Sequence, residues 1–254
     1  MLNRRPVEGA FTLTTDDGVH LDAVHLPGRG PSELAIVVAH GFTGTWRSAR
    51  FRNIMEILRA HGAVVSFQFR GHGRSGGGST LGDREVLDVD AAVAHVRELG
   101  YRQVALLGFS MGSAVVVRYA GLYGDVSAVA AVSGPSRWYY KGTASMRWVH
   151  RAVEWPVGRL VSRSLLHTRI ADGGWAEEPV PPWRAAAMIS PIPLLIVHGD
   201  QDRYFPLRHA YELHHAAGEP KELWIEKGVG HAEAGMTPPI VRRIGNWLSE
   251  HAKG

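Results

Sequence analysis

Hydrophobic and polar positions follow a two-residue period near the start of the chain. The stretch "FTLTTDDGVHLDAVHL" predicts two alternating strands that meet at an Asp17-Gly18 turn. The period then changes, because "ELAIVVAH" is a continuous apolar run of the kind that parallel sheets bury on both faces. Further strands are predicted at "AVVSFQF", "QVALLGF", "VSAVAAVS", "PLLIVHG" and "KELWIE".

Segments with helical spacing of apolar residues separate these strands. Helices are predicted within 46–61, over 83–99 and directly after Ser110, and again at "LRHAYELHHAA" and "PPIVRRIGNWLSEHA". Strand and helix therefore alternate along most of the chain. This order predicts an α/β fold in which helices cover both faces of a mostly parallel sheet.

One segment, residues 136–185, interrupts the alternation. It shows no strand pattern, and "ASMRWVHRAVEWPVGRLVSRSLL" is helical apart from a break at Pro156. We interpret it as a small helical cap inserted into a core formed by residues 1–135 and 186–254, within one structural domain. An ordinary connecting helix with long loops is the alternative. The segment holds five of the eight tryptophans: Trp138, Trp148, Trp155, Trp175 and Trp183.

Composition and charge restrict the possible classes of protein. The 254 residues, 45% of them hydrophobic, suffice for one sizeable core. The absence of cysteine excludes a disulfide framework and a cysteine nucleophile. No apolar run approaches the roughly 18 residues of a membrane span, and no secretory signal is recognised, so we expect a cytoplasmic protein. The cap segment alone carries the net charge of +4, and scattered basic residues elsewhere argue against nucleic-acid binding.

Candidate chemistry centres on the stretch "LLGFSMGSAVVVRYA". It places Ser110 in a G-x-S-x-G sequence between a predicted strand and a predicted helix, the pattern of a nucleophile elbow. Such a tight turn requires small neighbours, which accounts for Gly108 and Gly112. A plain strand-to-helix turn is the alternative. A serine hydroxyl is unreactive near neutral pH without a base to take its proton.

Position along the chain selects the base among fourteen histidines. His231 follows the last predicted strand, which places it on a loop at the carboxyl edge of the sheet, where open α/β sheets bind ligands. Asp202, in "VHGDQDRYFP", lies far enough onto the preceding loop to orient this imidazole, while Asp200 is expected to organise the turn. "AHGFTGTW" follows the first apolar strand. The backbone N–H groups of Phe42 and Met111 are the predicted oxyanion hole.

The chain resembles the α/β-hydrolase family at five motifs that occur in the family's order. These are "HGFTG", "FRGHGRSGG", "GFSMG", "HGDQDRYFP" and "GVGHAE", and they span nearly the whole length. The resemblance implies an eight-stranded sheet with an antiparallel second strand, a cap after the sixth strand, and a Ser110–Asp202–His231 catalytic triad. The motifs are closest to small bacterial cinnamoyl or feruloyl esterases and to monoacylglycerol lipases. Serine at the elbow separates the chain from relatives with aspartate or cysteine there.

Three classes of function remain open. The first is a serine esterase that cleaves small carboxylic esters through an acyl-enzyme, and the second is a triad enzyme acting on thioesters, C–C bonds or amides. The third is a binding protein without chemistry, which the complete set of motifs disfavours. Aromatic residues of the cap either line the substrate pocket or pack the cap itself; the candidates are Trp138, Tyr139, Tyr140, Trp148 and Trp155.

No cofactor or metal is expected. "GHGRSG" matches the G-x-G-x-x-G pattern of dinucleotide sites, but further glycines follow where that pattern should open a helix. The histidines lack metal-ligand spacing such as H-E-x-x-H. The sequence does not indicate an oligomeric state.

Overall fold

A computed structural model describes residues 9–253, and these form an eight-stranded sheet with helices on both faces. Strand β2 runs antiparallel to β1 and β4, and the other neighbouring strands pair in parallel, in the order β1-β2-β4-β3-β5-β6-β7-β8. The predicted α/β fold is confirmed. The strands are β1 (Gly9–Thr14), β2 (His20–Leu26), β3 (Leu34–Ala39), β4 (Ala63–Phe67), β5 (Gln103–Phe109), β6 (Ala128–Val132), β7 (Leu194–Gly199) and β8 (Lys221–Glu226).

The helices follow the predicted order, with shorter bounds and two additions, α6 and α8. Helix α1 starts later than the pattern indicated because Ser48 accepts a hydrogen bond from the Phe51 N–H and caps it. Helix α8 is a single turn that the hydrophobic pattern did not predict. The helices are α1 (Ala49–Leu58), α2 (Glu85–Glu98), α3 (Met111–Tyr123), α4 (Ala144–Glu154), α5 (Pro156–Leu165), α6 (Pro182–Ala186), α7 (Arg208–Ala216), α8 (Ala232–Gly235) and α9 (Pro238–His251).

The core lies on both faces of the sheet, and the strand period divides it. Every residue of β3 is buried, so its sequence shows no alternation of polar and apolar residues. Successive side chains nevertheless point to opposite faces of the sheet. Ala35, Val37 and Ala39 belong to one hydrophobic cluster together with residues of α2 and α3. The intervening β3 residues belong to the other cluster, with residues of α1 and α9. Both faces of the sheet are thereby covered by helices, and the loops that follow its parallel strands lie at its carboxyl edge.

The segment between β6 and β7 contains α4, α5 and α6. Thr143 caps α4, and Pro156 is the first residue of α5, where its missing N–H and fixed φ are tolerated. Short bridges tie the segment to the glycine-rich loop after β4, joining His72 with Thr168 and Ser79 with Ile170. Within residues 9–253, no helix has both the length and the apolar character required to cross a membrane.

Candidate active site

Ser110 occupies a strained turn between β5 and α3. Its φ of 52° lies in the left-handed region that non-glycine residues rarely adopt, and its backbone N–H donates to Val132 of β6. A side chain at Gly112 would place its Cβ 2.5 Å from the His40 carbonyl oxygen and 2.6 Å from that of Ala39. A side chain at Gly108 would overlap the backbone of Gly112. The two flanking glycines are therefore a steric requirement of this turn.

Three loops bring Ser110, His231 and Asp202 together at the carboxyl edge of the sheet. His231 Nε2 lies 2.9 Å from Ser110 Oγ, and His231 Nδ1 lies 2.7 Å from Asp202 Oδ2. The three side chains are separated by up to 121 positions in sequence, yet they form one continuous hydrogen-bonded chain. With Nδ1–H donating to the carboxylate, Nε2 is free to accept the serine proton.

The Asp202 carboxylate is buried and held by several donors. Burial opposes its ionisation, but the hydrogen bond from His231 and the backbone N–H groups of Phe205 and Tyr204 outweigh that cost and lower its pKa. Asp200 points elsewhere, since its Oδ1 accepts the Gly228 N–H at 2.7 Å. The two aspartates of this loop thus have different partners: Asp202 contacts His231, and Asp200 contacts the Gly228 backbone in the loop after β8 rather than its own turn.

Two buried histidines hold the turn that follows β3. His40 Nδ1–H donates to the Gly41 carbonyl at 2.7 Å, and its Nε2 accepts the Phe69 N–H at 3.1 Å. Burial lowers the pKa of His40 to about 3, so it stays neutral and keeps this pattern. His72 accepts the Thr43 N–H at 3.2 Å. His40 of the motif "HG" and His72 of the motif "GHG" therefore hold this turn through their hydrogen bonds to its backbone.

Phe42 and Met111, whose backbone N–H groups are the predicted oxyanion hole, line the same cavity as Ser110. Met111 is the first residue of α3, so its N–H has no intrahelical acceptor. Phe42 donates to no acceptor within residues 9–253. Gly41 is packed closely against the elbow, because a Cβ there would lie 3.1 Å from Ser110 Cβ. Phe42 and Met111 thus line the cavity that contains Ser110, and neither N–H has an acceptor in the described chain.

A cavity of about 880 Å³ opens above these groups. Its walls come from the loops of the core and from the segment 136–185, and they are mostly apolar. This volume is in the range of pockets for small organic ligands. Lining residues include Phe42, Leu81, Met111, Trp138, Tyr139, Met146, Val149, Val153, Trp175, Tyr204, Phe205, His231 and Glu233.

The aromatic residues predicted to bind substrate divide into two groups. Trp138 and Tyr139 line the cavity. Tyr140, Trp148 and Trp155 do not, which corrects the sequence-based expectation. Tyr140 packs its ring against His209 of α7, at 4.4 Å between centroids, and the two tryptophans of α4 and its end are 67% and 61% exposed. The rotation of α4 turns Trp148 away from the cavity, and composition alone cannot indicate this rotation.

Other cavity residues were missed by the sequence analysis. Leu81 belongs to the loop 79–82, which the sequence pattern indicates only as a glycine-rich stretch that opens no helix. Glu85, fully buried, accepts hydrogen bonds from Ser79 Oγ, Thr80 Oγ1 and three backbone N–H groups of this loop. The available signal was Glu85 at the start of α2, six positions after Ser79 and five after Thr80.

Glycine-rich residues 71–82 form a loop, and α2 begins only at Glu85. The loop pairs with the segment 136–185 and does not present a helix N-terminus to a ligand. Among residues 9–253, no group of three or more His, Cys, Asp or Glu side chains is placed to hold a metal ion.

This fold and the hydrogen-bonded Ser110–His231–Asp202 arrangement define an α/β-hydrolase. The family model described as "Serine aminopeptidase, S33" matches residues 30–177, which is more than half of the chain. The chain belongs to this family of hydrolases.

Curated relatives and solved structures agree with this class. The chain is 27% identical to the uncharacterized protein YfhR of Escherichia coli K12, over 87% of this chain and 72% of that protein. It is 27% identical to the monoacylglycerol lipase of Mycolicibacterium smegmatis, over 85% of this chain and 88% of the lipase. The esterase Pf2001 of Pyrococcus furiosus superimposes with a TM-score of 0.75 over 97% of this chain and 93% of its own. At 23% identity, that likeness shows the fold alone.

Proposed function

We propose that this hydrolase is a serine esterase that cleaves small carboxylic esters through an acyl-enzyme. The observation that carries the proposal is the unbroken hydrogen-bonded chain from Ser110 Oγ through His231 to Asp202, at the floor of an apolar cavity. In this proposal Ser110 is the nucleophile, His231 is the general base and Asp202 orients the imidazole.

The reaction follows from this geometry in two halves. Ser110 Oγ attacks the ester carbonyl carbon while its proton passes to His231 Nε2. The resulting imidazolium, stabilised by Asp202, then protonates the leaving alkoxide, and the alcohol departs. Water attacks the acyl-enzyme in the second half, with His231 taking its proton and returning one to Ser110. The carboxylic acid is released and the enzyme is restored.

The tetrahedral intermediate carries a negative oxygen, and we assign its stabilisation to the N–H groups of Phe42 and Met111. In support of this assignment, both residues line the cavity, and neither N–H has an acceptor in the described chain. The N-terminal end of α3 adds a favourable dipole for the developing charge. Donors already oriented in this way do not need to reorganise during the reaction.

We propose that residues 136–185 act as a cap that selects the substrate. The segment supplies Trp138, Tyr139, Met146, Val149 and Val153 to the cavity wall, opposite the loops of the core. A largely apolar wall of this size favours short, medium or aromatic acyl groups over long-chain triglycerides. Turnover of emulsified triolein above that of such esters would contradict this assignment.

Turnover of a panel of p-nitrophenyl esters, with wild type beside Ser110→Ala, tests the proposed reaction. We expect hydrolysis by the wild type only, and labelling of Ser110 by a fluorophosphonate probe. An enzyme that neither turns over any ester nor reacts with the probe would refute the esterase assignment. Acyl-CoA and C–C substrates assayed in parallel measure the other triad reactions.

Amide hydrolysis is the second candidate, favoured by one side chain. Glu233 lies on the cavity wall beside the elbow, and its carboxylate makes no hydrogen bond within the described chain. A free carboxylate there suits a substrate with an amino group. Aminoacyl p-nitroanilides compared with the corresponding esters, in wild type and Glu233→Gln, measure this activity. A selective loss of aminoacyl turnover in the variant would support the candidate.

A further inference from the structure

Helix α5 turns its apolar side toward solvent. Val157, Leu160 and Leu165 are 71%, 64% and 73% exposed, and Val161 is 43% exposed. In chain order, Val157, Leu160, Val161 and Leu165 follow one another at intervals of three, one and four residues. This spacing places them on one side of the helix. The buried residue of the helix is polar Ser162. This arrangement is the inverse of a helix packed against a protein core.

Helix α4 and its end also expose large apolar side chains. Trp148 and Trp155 are largely exposed, while Met146, Val149 and Val153 face the cavity. The helix therefore has one apolar side toward the proposed substrate and a second toward solvent. We call this second surface the outer cap face, and it comprises Trp148, Trp155, Val157, Leu160, Val161 and Leu165.

Basic side chains accompany the outer cap face. Arg151 lies over the Trp148 ring at 4.9 Å, and neither it nor Arg147 or Arg163 forms an ion pair within residues 9–253. Two of the four acidic side chains of the segment 136–185 are already engaged. Glu154 pairs with Lys141, and Asp172 pairs with Arg159. The surface is thus apolar and positively charged.

We propose that the outer cap face binds the surface of an anionic lipid bilayer. Exposed tryptophan and leucine with arginine alongside is the pattern of helices that lie in a membrane interface. Anionic headgroups complement the arginines, whereas a second copy related by two-fold symmetry would bring the same arginines against one another. Because the inner side of α4 lines the cavity, binding would hold the cavity roof at the bilayer.

This inference is independent of the proposed reaction, since binding is measured without substrate. The assay is co-sedimentation with vesicles of phosphatidylcholine alone and of phosphatidylcholine mixed with phosphatidylglycerol. We expect the wild type to sediment with the mixed vesicles, weakly or not at all with phosphatidylcholine, and less as salt is added. Equal binding to both vesicles, or to neither, would overturn the proposal.

The apolar contribution is tested by the double variant Leu160→Ser/Leu165→Ser. Neither residue lines the main cavity, so hydrolysis of a water-soluble ester and the thermal midpoint should stay as in the wild type. Vesicle binding should fall at least tenfold, because the two exposed side chains would no longer enter the interface. Leu122→Ser/Tyr211→Ser, at exposed positions outside the cap, is the matched control and should bind as the wild type.

The charge contribution is tested by Arg151→Gln/Arg163→Gln. We expect binding to the mixed vesicles to weaken about fivefold per arginine, with a shallower salt dependence. Arg242→Gln, an exposed arginine of α9, should have no effect. A wild type that forms dimers in multi-angle light scattering, reverting to monomers in Leu160→Ser/Leu165→Ser without any vesicle binding, would assign the face to self-association and refute the lipid proposal.

Discussion

His231 Nδ1 lies 2.7 Å from Oδ2 of Asp202, a carboxylate whose side chain is only 1% exposed. Backbone N–H groups of Tyr204 and Phe205 occupy its other oxygen, Oδ1. These contacts hold the carboxylate in one orientation. The carboxylate in turn orients the His231 imidazole and keeps the proton on its Nδ1. Any proton transfer from Ser110 depends on this contact, because only the far nitrogen then faces the serine.

Asp202→Asn should reduce kcat by about 10⁴-fold, because the amide favours the wrong imidazole tautomer while the shape of the loop is kept. Asp200→Asn is the matched control. Its side chain accepts the Gly228 N–H of the loop after β8 and does not contact His231, so activity should stay near that of the wild type. Ester turnover by the two variants checks the assignment. The reverse ranking would identify Asp200 as the orienting carboxylate.

Ser110→Ala should lower kcat by about 10⁶-fold with no loss of folding stability, since it removes only the attacking oxygen. Ser113→Ala, one turn further along α3, is a suitable control. Its hydroxyl is buried and unpartnered within the described chain, so its removal should leave ester turnover unchanged. Steady-state kinetics and thermal melting of both variants measure the outcome. Substantial residual activity in Ser110→Ala would exclude Ser110 as the nucleophile.

Gly41→Ala should reduce kcat more than it affects stability. The new Cβ would lie 3.1 Å from Ser110 Cβ, which displaces the turn that carries the Phe42 N–H. Loss of one oxyanion donor costs about 3 kcal/mol of transition-state stabilisation, so a 10²-fold decrease or more is expected. Gly30→Ala, where a Cβ meets nothing within 4 Å, is the control. A change in KM with unaltered kcat would argue against an oxyanion role for this turn.

Glu85→Gln should destabilise the protein and alter its acyl preference. The glutamine places an NH₂ group against the hydroxyl and backbone donors of the loop 79–82, with an expected loss of about 2–3 kcal/mol in the free energy of unfolding. The displaced Leu81 would change the ratio of kcat/KM values across an ester series. Glu98→Gln, exposed on the same helix, should change neither. Urea unfolding and the ester series test both effects.

A carboxylate of the hairpin turn should make stability depend on acid pH. The hydrogen bond to Arg70 holds the pKa of Asp17 at about 2, below its ordinary value of 3.8. A lowered folded-state pKa contributes stability above the unfolded value, and this contribution disappears as pH falls through the folded value. Asp17→Asn should therefore be less stable than the wild type above about pH 4, with the difference vanishing toward pH 2.

Urea unfolding at several pH values measures this difference, and Asp16→Asn is its control because Asp16 is the exposed neighbour in the same turn. A constant difference between wild type and Asp17→Asn across the acid range would show that the Arg70 contact does not stabilise the fold through its charge.

Much of the fold could be predicted because its elements carry local signals. Continuous apolar runs such as that of β3 indicate strands buried on both faces, and Pro156 indicated where α4 ends. The positions of Ser110, Asp202 and His231 were equally predictable, since residues that directly follow parallel strands converge at one edge of the sheet. Their mutual distances were not, because these depend on the path of each loop.

The sequence by itself determined the order of strands and helices, the tight serine turn, and which loops would meet, because each follows from backbone sterics and from a period visible over a few residues. Only the tertiary structure decided which side of α4 and α5 faces the cavity. An amphipathic sequence specifies an apolar side but not the surface that side meets. For that reason Met146, Val149 and Val153 of α4 line the cavity, while Trp148 and the apolar side of α5 face solvent.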